Sequence, residues 1–137
     1  MPLVGGGGAG NVAGGNPSGT GASVNYIGNH VYATSGEITV ENSADAGTTL
    51  LDFTIGNSYI MAEIHAFNSQ ASALDDFVHV LIDGEIVCNA RYQNANELHQ
   101  DQPLKILIPP YSRFQYKAST SGATPTWTII LTGRVYA

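Results

Sequence analysis

The 137-residue sequence predicts an all-β protein: an antiparallel jelly-roll sandwich of about eight strands with an extended Gly-rich N-terminal arm. Three observations lead there. Charged residues make up only 12% of the chain while Gly, Asn, Ser and Thr abound, a balance that suits many short strands and turns. Apolar residues recur with a period of two. Turn signals interrupt them roughly every 8 to 15 residues, the spacing of a sandwich. With 43% hydrophobic residues, a chain of this length can fill a single core.

The composition divides the chain at Gly36. Residues 1–36 hold no Asp, Glu, Lys or Arg, and every charged side chain falls in residues 37–137. The first part is an arm with a docking segment and the second is the body. Ordering residues 1–22 would cost on the order of 20 to 40 kcal/mol of backbone entropy, whereas burying Met1, Leu3, Val4 and Val12 stabilises by only about 6 to 12. Such an arm is expected to order on assembly, because a chain without charge or bulk can lie against another protein and exchange backbone hydrogen bonds with it. In Ser23 to Gly36 aromatic and β-branched residues increase, so this stretch is expected to dock as a first strand through Tyr26, Ile27 and Tyr32.

The body reads as strands. Glu37 to Asn42 alternates Ile38 and Val40 with polar neighbours, and Thr48 to Ile55 follows the turn-like "SADAG". Ser58 to Phe67 places Ile60, Ala62, Ile64 and Ala66 on one face and Met61, Glu63, His65 and Phe67 on the other; a helix could be drawn through it, but the β-rich context favours a strand. Two apolar runs between Asp75 and Tyr92 are joined by Asp83-Gly84, a dipeptide suited to the positive φ angles of a two-residue hairpin. Pro103 to Ser119 gives two strands broken by Pro109-Pro110, since proline cannot donate to a ladder. In the last strand Trp127, Ile129, Leu131, Gly133 and Val135 point inward, and the chain ends inside it. Residues 68–76 and 93–103 are long polar connections of the kind Greek-key wiring uses.

Several chemistries find no pattern here. The G-x-G-x-x-G match at Gly5, Gly7 and Gly10 lacks the preceding strand and following helix that hold a pyrophosphate. His30, His65, His79 and His99 are too scattered for the paired histidines and nearby glutamate of a cupin-type metal site, so no metal or other cofactor is expected. Asp75-Asp76 is the one adjacent acidic pair, and most acids sit in expected turns, where they are solvated. Cys88 alternates with Ile86 and Ala90 as a small hydrophobe of one strand face. The net charge is -6 and no Lys or Arg precedes Arg91, which argues against nucleic acid. No secretory signal and no membrane-length apolar run occurs, so synthesis in a cytoplasm and no membrane partner are expected.

The stretches "GNPSGTGASVNYIGNHVYATSG", "TLLDFTIGNSYI", "LKILIPPYSRFQYKAS" and "LTGRVYA" resemble the small jelly-roll capsid decoration, or cement, proteins of tailed bacteriophages. The resemblance spans nearly the whole chain and rests on style and short stretches. It implies a non-enzymatic virion protein, a homotrimer that binds the major capsid protein and ties adjacent subunits together. Leu3, Val4, Asn16, Pro17, Tyr26 and Ile27 would then contact capsid or neighbouring subunits. The acidic balance favours the outer surface of the shell over the DNA-facing one. Two other readings remain: a tail or fibre module that binds a receptor glycan through loops holding Tyr92 and Asp101, and a jelly-roll enzyme, which would need convergent His and carboxylate groups.

Overall fold

The computed structural model describes residues 24–69, 74–95 and 103–136. These form ten strands and no helix: β1 Asn25–Ile27, β2 His30–Thr34, β3 Ile38–Thr39, β4 Thr48–Thr54, β5 Tyr59–Asn68, β6 Leu74–Ile82, β7 Glu85–Ala95, β8 Leu104–Ile108, β9 Arg113–Ser121 and β10 Thr126–Tyr136. They build two antiparallel sheets. One runs β1-β2-β10-β5-β8, with β3 also paired to β10; the other runs β4-β9-β6-β7. From β3 onward the chain changes sheet at every connection except the β6–β7 hairpin.

Period-two patterning explains the core. Ile60, Ala62, Ile64 and Ala66 of β5 meet Trp127, Ile129 and Leu131 of β10 inside the sandwich, with Val78 and Val80 of β6 and Phe114, Tyr116 and Ala118 of β9 contributed by the opposite sheet. Asp83 and Gly84 have φ angles of 52° and 84°, and the turn closes on the Ile82–Glu85 pair as the sequence predicts.

Other elements depart from the sequence reading for identifiable reasons. The expected strand from Glu37 to Asn42 shrinks to Ile38–Thr39, because the chain crosses between sheets there. Thr39 pairs with Thr126 of β10, whereas Asn42 bridges Thr120 of β9 in the other sheet. Pro109-Pro110 likewise marks a crossing from β8 to β9, not a hairpin. Residues 74–76 and 93–95, read as connection, belong to β6 and β7. The expected docking strand before Gly36 is two strands. Val31 and Ala33 are buried, Tyr26 packs against the core, and Ile27 and Tyr32 are exposed, so of the three expected anchors only Tyr26 holds this stretch to the body.

Of three register shifts among the described strands, one lies between Leu74 and Asp76 of β6, and the other two change which side chains share a face. In β7 the register passes from Val80–Cys88 to Leu81–Ile86, so Val87 is the extra residue of a bulge. Cys88 and Ile86 therefore lie on opposite faces: Cys88 is half-buried against the core and Ile86 is exposed. In β4 the shift opposite Tyr116 and Lys117 skips Leu50, which lets the successive Leu50 and Leu51 both be buried.

A polar network crosses the core. Asp76 of β6 is fully buried, contrary to the expectation of a solvated turn acid. The Asn68 side-chain amide donates to Asp76 Oδ2 at 3.0 Å and the Thr120 hydroxyl to Oδ1 at 2.9 Å, while Trp127 Nε1 donates to Thr120 Oγ1 at 3.3 Å. Asn68 and Trp127 belong to one sheet and Asp76 and Thr120 to the other. A buried carboxylate is tolerable only with such donors.

Gly133 faces inward from the middle of β10, where a Cβ would run into the Met61 carbonyl oxygen and lie 3.0 Å from Ala62 Cα. Gly133→Ala should therefore lower stability by about 1–3 kcal/mol, seen as a reduced urea midpoint at unchanged slope. Thr120→Val keeps the side chain's shape but removes both hydroxyl bonds. It should cost about 1–3 kcal/mol, and an unchanged midpoint would show that the network does not join the sheets.

Candidate functional site

The outer faces of the two sheets differ in chemistry. On the four-stranded sheet two ion pairs link neighbouring strands. Arg113 reaches across β9 to β4 and holds Asp52 by two bonds, Nε to Oδ1 at 2.9 Å and Nη2 to Oδ2 at 2.7 Å. Arg91 of β7 donates to Asp75 of β6 at 2.7 Å and lies 5.3 Å from the centre of the Phe77 ring. This face is compatible with water.

The six-stranded sheet presents an outer face on which exposed hydrophobes alternate with charged and polar side chains, and its register fixes which side chains are neighbours. Ile27, His30, Arg134, Met61 and Leu107 fall in one row across β1, β2, β10, β5 and β8. The next row is Asn25, Tyr32, Thr132, Glu63 and Lys105. Tyr59 and Tyr136 stack at one end of the sheet with centroids 5.8 Å apart, and Phe67 lies opposite Thr128 towards the other. Ile27 is 72% exposed, Met61 48% and Leu107 47%, and Tyr32, Tyr59, Phe67 and Tyr136 are also exposed. Of the large hydrophobic side chains exposed among the described residues, only Ile86, Val87 and Tyr111 lie elsewhere. Seven of the ten large hydrophobic side chains exposed among the described residues thus gather on this face, interleaved with His30, Arg134, Glu63 and Lys105.

The sequence-predicted contact residues divide. Leu3, Val4, Asn16 and Pro17 lie outside the described residues. Tyr26 turns towards the core, where burial pushes its hydroxyl pKa up, while Ile27, its neighbour in β1, stands on the outer face. His30 and His65 share that face, His65 Nε2 lying 3.8 Å from Glu63 Oε1, whereas His79 is on the four-stranded sheet, in register with Lys117. Among the described residues no group of three His, Cys, Asp or Glu side chains converges. His99 and Asp101 are outside the described residues; Tyr92 sits in β7 in register with Asp76. Sequence reasoning missed the face as a unit, although alternation had already placed Met61, Glu63, His65 and Phe67 together. What was missing was the order of the strands beside β5.

No family model matches the chain, and none of the curated proteins matches it in sequence. Among solved structures, the chain is similar to that of the infectious bursal disease virus VP2 subviral particle. The identity is 18%, the match covers 83% of this chain and 31% of that one, and the TM-score is 0.32. The chain thus spans less than a third of that protein's length.

The Asp52 carboxyl is held below its ordinary pKa, chiefly by its hydrogen bonds to Arg113. Its stabilisation is therefore present above the unfolded-state pKa of about 4 and is lost as pH falls through the lower folded value. Because the pair is exposed to solvent, which screens it, the contribution is small. Asp52→Asn should accordingly narrow the gap between the urea midpoints at about pH 6 and about pH 2.5. Equal gaps in the variant and the wild type would refute this role for the pair.

Proposed function

We propose that this chain is a virion structural protein of a tailed bacteriophage, a decoration protein that binds the major capsid protein on the outer surface of the shell and bridges its subunits without catalysing a reaction. The observation that carries this reading is the rooting of the uncharged N-terminal segment. Val24 is buried and β1 is paired to β2, so the uncharged segment is joined to a fixed edge strand of the six-stranded sheet. A Gly-rich segment tethered at such a rim can reach a neighbouring subunit while the body stays folded. Leu3, Val4, Asn16 and Pro17, with Ile27 at the root, are the proposed contacts; Tyr26 supports the root from inside.

The strand order adds support. Leaving aside β1 and β3, the sheets read β2-β10-β5-β8 and β4-β9-β6-β7, an order that supports reading the fold as a jelly roll. Homotrimeric assembly belongs to the same reading and comes from the sequence resemblance. A receptor-binding module is the second reading. The exposed stacked pair Tyr59 and Tyr136 favours it, since exposed aromatic rings can stack on sugars.

Deleting residues 2–22 tests the first reading. The truncated protein should keep the melting transition of the full chain and lose co-sedimentation with shells of the major capsid protein. Shell binding at undiminished affinity would overturn the role of the arm. Glycan binding that survives the deletion and disappears in Tyr136→Ala would support the second reading instead.

A further inference from the structure

We infer that the ligand of the stacked Tyr59 and Tyr136 is an acidic sugar whose carboxylate is held by Arg134. The inference rests on the receptor reading given above, which leaves the class of glycan open, and adds the chemistry of that glycan.

Arg134 differs from the other arginines in what it lacks. Arg91 is bonded to Asp75, and Arg113 holds Asp52 by two bonds. Arg134, the third arginine of the chain, is exposed and forms no ion pair with another described residue. In its own row and the next, Glu63 is the single acid. That carboxylate has His65 Nε2 3.8 Å from Oε1 and Lys105 opposite it in register. An arginine whose fork of N–H donors is left over on a sheet face is suited to an anion, and the planar fork matches the two oxygens of a carboxylate.

Register places further groups for such a ligand around Arg134. His30 of β2 is directly opposite, in a pair whose Cβ atoms are about 5 Å apart, and supplies another N–H donor. Tyr136 follows two residues on along β10, on the same face and about 7 Å away. Its ring stacks on Tyr59 at a centroid distance of 5.8 Å and an interplanar angle of 21°, so each ring keeps one face free of the other. A sugar packs its C–H face on an aromatic face and keeps its polar groups at the rim. Thr132, two residues before Arg134 and exposed, offers a hydroxyl. Met61 and Ile27, in the same row as Arg134, offer apolar surface to a methyl group of the ligand. Ring, cation and hydroxyl thus follow one another on a single strand within about 13 Å.

The preference for an acid is local. The chain has a formal net charge of -6, but salt screens charges beyond about 8 Å at physiological strength, so the groups beside the tyrosines decide what binds. A neutral sugar would gain the stacking without the fork, and a bare anion the fork without the stacking. The site is an open sheet face, not a pocket, so its affinity is expected to be about millimolar.

NMR titration of the full chain tests the inference with two acidic sugars, sialyllactose and digalacturonate, and the neutral counterpart of each, lactose and galactobiose. At least one acidic sugar should bind about tenfold or more tightly than its counterpart. Arg134→Gln should weaken that binding roughly 10- to 100-fold, the value of charge-assisted hydrogen bonds, with the neutral affinities and the melting temperature unchanged. Arg134→Lys keeps the charge without the fork and should recover only part of the loss. Lys105→Gln makes the same change of net charge about 12 Å away and should alter binding less than about twofold. Should Arg134→Gln unfold the chain, His30→Ala serves as the second probe and should reduce the acid preference. Equal binding of acidic and neutral sugars, a preference that survives Arg134→Gln, or a polyglutamate peptide that binds as tightly as the acidic sugar would overturn the inference. Binding of the neutral sugars alone would do so while supporting the receptor reading, and binding of none of the four would overturn both.

Discussion

Asp76 sits between the two sheets without access to solvent, and the sheets are joined around its carboxylate. Both oxygens accept hydrogen bonds, one from Asn68 on the six-stranded sheet and one from Thr120 on its own, and Thr120 in turn receives the indole N–H of Trp127. A buried charge contributes little net stability when satisfied and costs several kcal/mol when it is not. Any sliding of one sheet over the other would separate these groups. The network therefore constrains how the sheets lie at the end where the Asn68, Asp76 and Trp127 ends of their strands meet, while the hydrophobic core supplies the driving force for keeping them together.

Once that alignment is set, the two outer faces acquire different roles. Arg113 with Asp52 and Arg91 with Asp75 satisfy one another across neighbouring strands of the four-stranded sheet. The six-stranded sheet instead sets Ile27, His30, Arg134, Met61 and Leu107 into one row, with the exposed Tyr59, Phe67 and Tyr136 towards the ends of the sheet. The edge of that sheet is also where the uncharged segment is attached, through β1 and the buried Val24.

Local rules were legible to different extents. Alternation located β5 and β10 and their inward residues, because each makes a full-length strand in the middle of a sheet with one face on the core. The Asp83-Gly84 hairpin was legible because its geometry is decided by two adjacent residues. Cys88 and Ile86 were assigned to one face because a bulge leaves no mark in the pattern; the extra residue, Val87, is as apolar as its neighbours. Asp76 was assigned to water by residue type, although its spacing from Val78 and Val80 puts it on the buried face of β6. There the periodicity held and the residue-type preference did not, since Asn68 and Thr120 come from strands distant in sequence.

The sequence by itself determined the all-β class, the inward set of the long strands, the tight hairpin and the uncharged character of the first 36 residues, because each depends on residues adjacent in the chain. Tertiary structure alone decided which strands became neighbours. The crossings at residues 40–42 and at Pro109-Pro110 separate strands that look like hairpin partners, and they bring β5 between β10 and β8. A strand's own pattern says which side chains share a face. Which strands lie beside it is set by the packing of the whole sandwich, so both the cross-strand rows of the outer face and the partners of Asp76 came into existence only when the sheets formed.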